Sequence, residues 1–118
     1  MLLLAGALLG AGAVSALANR HWLLLDGRDW QRFSGAEREA WTQGFLAGHA
    51  VGRLPDSVAR DTLVSATALE QQRQEGTFAL PYASPVYTAR LGDYYRWENH
   101  QAHPLWRGLL NVHAELRR

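Results

Sequence analysis

Between Gly92 and Leu110 the sequence reads GDYYRWENHQAHPLWRGLL, and its Glu98, His100 and His103 are residue types that hold a divalent cation. Two imidazoles three residues apart with a carboxylate beside them would form a metal or small-ligand site. That spacing arises readily by chance, and both histidines fall in a turn between two helices, with no rigid element to hold them. The expectation is therefore solvated turn residues and no metal or cofactor, with His103 helping to cap the helix begun by Pro104. His49 stands alone within a glycine-rich segment, where a hydrogen-bonded, half-buried imidazole is the commoner outcome than a base. Cysteine is absent, which removes thiol nucleophiles, disulfides and thiolate metal sites together. Neither a G-x-S-x-G elbow nor a glycine-rich phosphate loop with its lysine occurs. No catalytic residue is assigned, and the chain is not expected to be an enzyme.

The same stretch is dense in aromatics. Tyr94, Tyr95, Trp97 and Trp106 are the candidate binding residues, because Trp and Tyr dominate interface hot spots as well as cores. Adjacent helical residues differ by about 100° in direction, so one tyrosine is expected to face the core and its neighbour to look outward. The competing expectation is an aromatic plug that ties the last two helices together.

Elements to position these residues follow from the rest of the chain. Its 118 residues suit a single domain. Twelve basic against eleven acidic residues leave a net charge of +1, and no clustered basic stripe marks a nucleic-acid partner. The opening MLLLAGALLGAGAVSALANR carries an apolar run from Leu2 to Ala18 that closes on Ala16-Leu17-Ala18, the small-x-small pattern of a signal-peptidase site. As a helix the run spans about 26 Å, short of the ~30 Å hydrocarbon core. Residues 1–18 are thus expected to be a cleaved signal peptide, with a short inner-membrane anchor facing the periplasm as the alternative. Residues 19–118 form the domain, in the periplasm or secreted.

An extended lead-in around Trp22–Leu25 is expected first, with Trp30 and Phe33 closing onto the next helix. Ser34 and Glu37 fit a capping box that opens a helix running to Leu54 before Pro55. Along it Ala36, Ala40, Gly44, Gly48 and Gly52 recur every fourth residue on one face. Interior glycines cost about 1 kcal/mol each relative to alanine, so a second helix is expected to cross closely over that face, beside a bulky stripe of Trp41 and Phe45. A second helix is expected from an Asp56 or Ser57 cap to Gly76. The third begins at a Ser84 cap before Pro85, presents Tyr87, Leu91, Tyr94 and Tyr95, and ends on Asn99. A fourth, from Pro104, carries Leu105, Leu109, Val112 and Leu116. The fold class is all-α: a small four-helix domain with a short extended lead-in.

WTQGFLAGHAVG resembles the aromatic-x-x-G-aromatic-x-x-G helix of small exported bacterial helical domains. LGDYYRWENHQAHPLWRGLLNV is similar to their C-terminal helix, Asn-containing turn and Pro-started final helix. Such domains include immunity proteins that neutralise cell-wall amidase toxins delivered by type VI secretion. The resemblance implies structural roles for Gly44, Gly48, Tyr95, Asn99 and Pro104, a protein-binding activity and no catalysis. The functional expectation is an exported, immunity- or envelope-associated module that binds another protein, with homodimerisation open. The alternatives are a metal- or small-ligand-binding protein using Glu98, His100 and His103, and a membrane-tethered structural module.

Overall fold

A computed structural model describes residues 21–118, and the expectations for residues 1–18 lie outside the described residues. The architecture is all-helical. In chain order it comprises a 3₁₀ turn at Trp22–Leu24, α1 (Gly27–Arg32), α2 (Gly35–Gly52), α3 (Asp56–Ala59), α4 (Thr62–Glu75), α5 (Ser84–Tyr94), a 3₁₀ turn at Glu98–His100, and α6 (Leu105–Leu116). Among the described residues four of the six α-helices are long, as the sequence patterning implies. Helix α5 is central, packed against α2 on one side and α6 on the other.

The lead-in is helical rather than extended. His21 accepts the Leu23 N–H on its Nδ1 at 3.2 Å and the Leu24 N–H on its carbonyl at 2.8 Å, which closes the first turn. Asp26 then caps α1. Its carboxylate accepts from Arg28 N at 2.9 Å while Asp29 reaches back to Asp26 N at 2.9 Å. Among the described residues the extended pairing is a single antiparallel bridge, Asp26 with Pro104. Gly27 N donates to Gln101 O at 2.9 Å and Leu105 N to Leu25 O at 2.8 Å, so the lead-in is pinned to the connection before α6.

Ser34 and Glu37 make the reciprocal capping box that opens α2, at 3.1 and 2.8 Å. The expected second helix is divided. Asp61 Oδ1 accepts from both Leu63 N and Val64 N at 3.0 Å, and this new N-cap ends α3 and starts α4. Gly76, at φ +67°, closes α4 in the left-handed region that glycine enters without steric cost. Helix α5 starts one residue early: Ala83 is its N-cap and the Ser84 hydroxyl points away, donating to the Glu39 carboxylate. It also ends early, on Tyr95, so Asn99 is not its C-cap and lies within the second 3₁₀ turn. Pro104 is the N-cap of α6 and has no side-chain cap; the His103 ring does not serve as one.

Trp30, Tyr87, Leu91, Tyr95, Leu105 and Leu109 are fully buried and form the core. Trp30 meets Trp41 edge-on at 6.2 Å between centroids, with the Arg38 guanidinium 5.5 Å above its ring. A polar seam joins α2 to α5. Thr88 donates to Glu39 at 2.6 Å and lies 2.9 Å from the Thr42 hydroxyl, which itself donates to Arg38 O at 3.0 Å. The bond from Ser84 first, then that from Thr88, stabilise the ionised Glu39 and hold its carboxyl below the usual range.

The glycine expectation is overturned. A β-carbon at Gly44, Gly48 or Gly52 would meet nothing within 4 Å, so no helix among the described residues crosses that face. The close approaches are at Gly27 and Gly108. A β-carbon on Gly27 would lie 2.8 Å from Gln101 Cα, and one on Gly108 would lie 2.9 Å from Tyr95 Cζ. The Tyr95 ring occupies the space that two side chains would need.

Candidate functional site

The face left uncovered on α2 is the floor of a groove of about 540 Å³. Ala40, Gly44 and Gly48 make the floor because they fall four apart on one side of the helix. One residue further round, Trp41, Phe45 and His49 repeat the same spacing and stack as a ladder. Trp41 and Phe45 lie 5.3 Å apart and 27° from parallel, and Phe45 and His49 lie 6.2 Å apart at 23°. This ladder is one wall, its inner edge anchored on Trp30. Trp22 from the lead-in and Trp106 from α6 complete the lining. Trp22 is 70% exposed and Trp106 39%. Burying such rings against a partner would gain about 25 cal/mol per Å² of apolar area.

The four candidate aromatics are not one patch. Tyr95 is completely buried, its hydroxyl 3.0 Å from both His103 O and Pro104 O, and burial pushes the phenol well up. Tyr94 is buried too, so the expectation that one of the pair looks outward is corrected. The cause is that α5 stops there: Tyr95 leaves helical geometry and turns inward beneath the incoming chain. Trp97 is 67% exposed and borders a separate depression of about 340 Å³ with Tyr94, His100, Arg90 and Glu115. Only Trp106 belongs to the groove. The plug between the last helices is therefore built by Tyr94 and Tyr95, without Trp97.

The structure brings His100 and His103 together, with ring centroids 5.3 Å apart, around Tyr94. His100 stacks on the Tyr94 ring at 4.0 Å, and its Nδ1 lies 2.8 Å from the Tyr94 carbonyl. His103 Nδ1 is hydrogen-bonded to the Tyr94 hydroxyl, which also accepts from Asn111 Nδ2 at 3.1 Å. One nitrogen of each imidazole is thus engaged in fixing Tyr94. Glu98 is exposed, and among the described residues no three His, Asp or Glu side chains are grouped so as to hold a metal ion. Burial, then Arg107 and then His100, hold the His103 imidazole below its usual value.

Trp22, Trp41 and Phe45 are groove residues that the sequence reading placed in the lead-in or in packing. The available signal was the aromatic row at four-residue spacing directly beside the small-residue row. Among the described residues no helix is long and apolar enough to cross a membrane. Compared with known proteins, the chain matches no family model, no curated protein and no solved structure.

Proposed function

We propose that this protein is an exported binding module that receives an apolar helical segment of another protein in the groove on α2. The single observation that carries the reading is the open glycine floor between aromatic walls. Interior glycines weaken a helix, and nothing in the described fold fills the space above Gly44 and Gly48. Their absent side chains let a partner backbone come close while its larger side chains meet Trp22, Trp41, Phe45 and Trp106, a helix-in-groove mode of recognition. Support for export comes from the apolar run and its Ala16-Leu17-Ala18 terminus. The resemblance to immunity domains, which act by binding, agrees with this reading, and Gly44 and Gly48 are among the positions it covers. No chemistry of its own is assigned to the protein.

Photo-crosslinking in the exporting cell tests this. A benzoylphenylalanine in place of Trp22, which lines the groove and is exposed, is expected to give adducts of one discrete mass with another protein, lost when Trp106→Ala is added. The same group at Glu75, exposed on α4, should give none. Equal labelling from both positions would remove the groove from the account, and adducts of twice the chain mass would replace the partner with a second copy.

A further inference from the structure

A second hollow, of about 340 Å³, lies between α5 and α6 and shares no lining residue with the α2 groove. Helical spacing builds it. Arg90, Asp93 and Tyr94 lie on one side of α5, and Val112, Glu115 and Leu116 repeat that spacing on α6. The two helices pack together, so the rows border one trough. Helix α5 stops at Tyr94, and the chain turns back through the second 3₁₀ turn, which sets Trp97 and His100 across the end of the trough. Its volume is at the lower end of the range for small-molecule sites. Tyr94 and Val112 are buried and supply an apolar base, while Trp97 is an exposed aromatic wall.

The polar groups are of three kinds. The His100 ring lies flat on Tyr94 at 4.0 Å, with its Nδ1 2.8 Å from the Tyr94 carbonyl. A carbonyl only accepts, so Nδ1 carries the hydrogen and Nε2 of the neutral ring is an acceptor. Asp93 and Glu115 bring two carboxylates, and Arg90 brings one guanidinium. Asp93 faces Arg96 at 3.7 Å, an exposed pair that holds it weakly. Among the described residues the Arg90 and Glu115 side chains make no ion pair or hydrogen bond.

We propose that this hollow binds a free basic α-amino acid, of the arginine or lysine kind. Its carboxylate lies on Arg90, and its two cationic groups are held by Glu115, Asp93 and the face of Trp97. The charges match one for one: two carboxylates and a guanidinium on the protein answer two cations and a carboxylate on the ligand. A neutral amino acid would leave one protein carboxylate unanswered, and a diamine would set a cation against Arg90. A guanidinium and a carboxylate pair through parallel hydrogen bonds, and an exposed indole face attracts a cation. His100 adds an acceptor for a ligand N–H. The inference stands apart from the reading of the α2 groove, so either can fail alone.

Titration of the ¹⁵N-labelled full chain with L-arginine and L-lysine, followed by NMR, tests this. At least one of the two is expected to give saturable shifts at the Trp97 indole N–H and at His100, with a Kd at or below about 1 mM. Agmatine, N-acetylarginine and citrulline each delete one of arginine's charges, and each should bind about fivefold or more weakly. Glu115→Gln and Trp97→Ala should weaken arginine by about fivefold each. Arg90→Gln should do the same to arginine and leave agmatine, which has no carboxylate, unchanged. All three positions are exposed, so the fold withstands the substitutions. Shifts that fail to saturate by about 10 mM with both amino acids would overturn the proposal. So would largest shifts at Trp22 or Trp106, or agmatine and citrulline binding as tightly as arginine.

Discussion

The phenol of Tyr95 stands where a side chain on Gly108 would have to go: a β-carbon there would be 2.9 Å from Tyr95 Cζ. The same ring crowds Gly27, whose β-carbon would lie 2.9 Å from Tyr95 Cε1. The first and last α-helices thus close on one ring from the end of α5, and Gln31 Nε2 adds a bond to the Tyr95 carbonyl at 3.1 Å. Tyr95 sets the relation of the lead-in to α6, and with it the placement of Trp22 and Trp106 on the groove.

Gly27→Ala and Gly108→Ala are each expected to destabilise the domain by about 1–3 kcal/mol or more, because backbone and a fully buried ring must move. Gly44→Ala and Gly48→Ala should instead stabilise it by up to about 1 kcal/mol each, since alanine is the better helix former and the space is open. Thermal melting of the four variants checks this. Equal losses at all four positions would contradict the assignment of which glycines are close approaches.

Glu39→Gln removes the ionised acceptor shared by Ser84 and Thr88 on the seam between α2 and α5. A loss of about 1–2 kcal/mol is expected, as for hydrogen bonds to a charged group at a half-exposed site. The loss should shrink in a Ser84→Ala, Thr88→Val background, and a double-mutant cycle reads that coupling. Additive effects would show that the three side chains do not act together.

Stability should fall with acidity in two steps. Burial first, then Arg107 and His100 for His103 and Arg117 and His49 for His113, hold both imidazoles below their usual value. The unfolded chain therefore binds protons first as pH falls. Their contribution is fully present above about pH 6.5 and is lost as pH falls through the lower folded values. His113 Nδ1 also lies 2.9 Å from the Tyr87 hydroxyl, which ties the imidazole to α5. A second decline, below about pH 4.5, comes from the lowered carboxyls of Glu39, Glu37 and Glu70. The Tm measured from pH 7 to 5 should drop in the native chain and stay nearly level in the His103→Gln, His113→Gln variant. A level native profile would show that neither imidazole is coupled to folding.

The mature N-terminus is expected to be Asn19. Intact mass of the protein recovered from the periplasm or medium reads this directly: a chain beginning at Asn19 supports cleavage after Ala18. Retention of residues 1–18 in a membrane fraction would make the run an anchor.

Local order was legible in the amino-acid sequence. The Ser34–Glu37 box needs only neighbours three apart, the stop at Gly76 needs only a residue that tolerates positive φ, and the stripe Leu105, Leu109, Val112 needs only helical periodicity. All three are interactions within one or two turns, so the order of residues alone specifies them. Boundaries were less secure where two local devices competed. Asp61 won a cap inside a segment read as one helix, and Ser84 gave up its expected cap to bond Glu39 across forty-five residues.

Tertiary structure decided which small residues were crowded and which aromatics were hidden. A glycine every fourth residue is the same pattern whether a helix lies over it or open space does. What separates Gly44 and Gly48 from Gly27 and Gly108 is the position of the Tyr95 ring, placed by a chain turn remote from all but Gly108 in sequence. Trp22 and Trp106 came together for the same reason: the lead-in pairs with the residues before α6 through backbone bonds that no side-chain pattern announces. The sequence determined an all-helical domain after an apolar N-terminal run; long-range packing alone turned the glycine face of α2 from a presumed seam into an open groove.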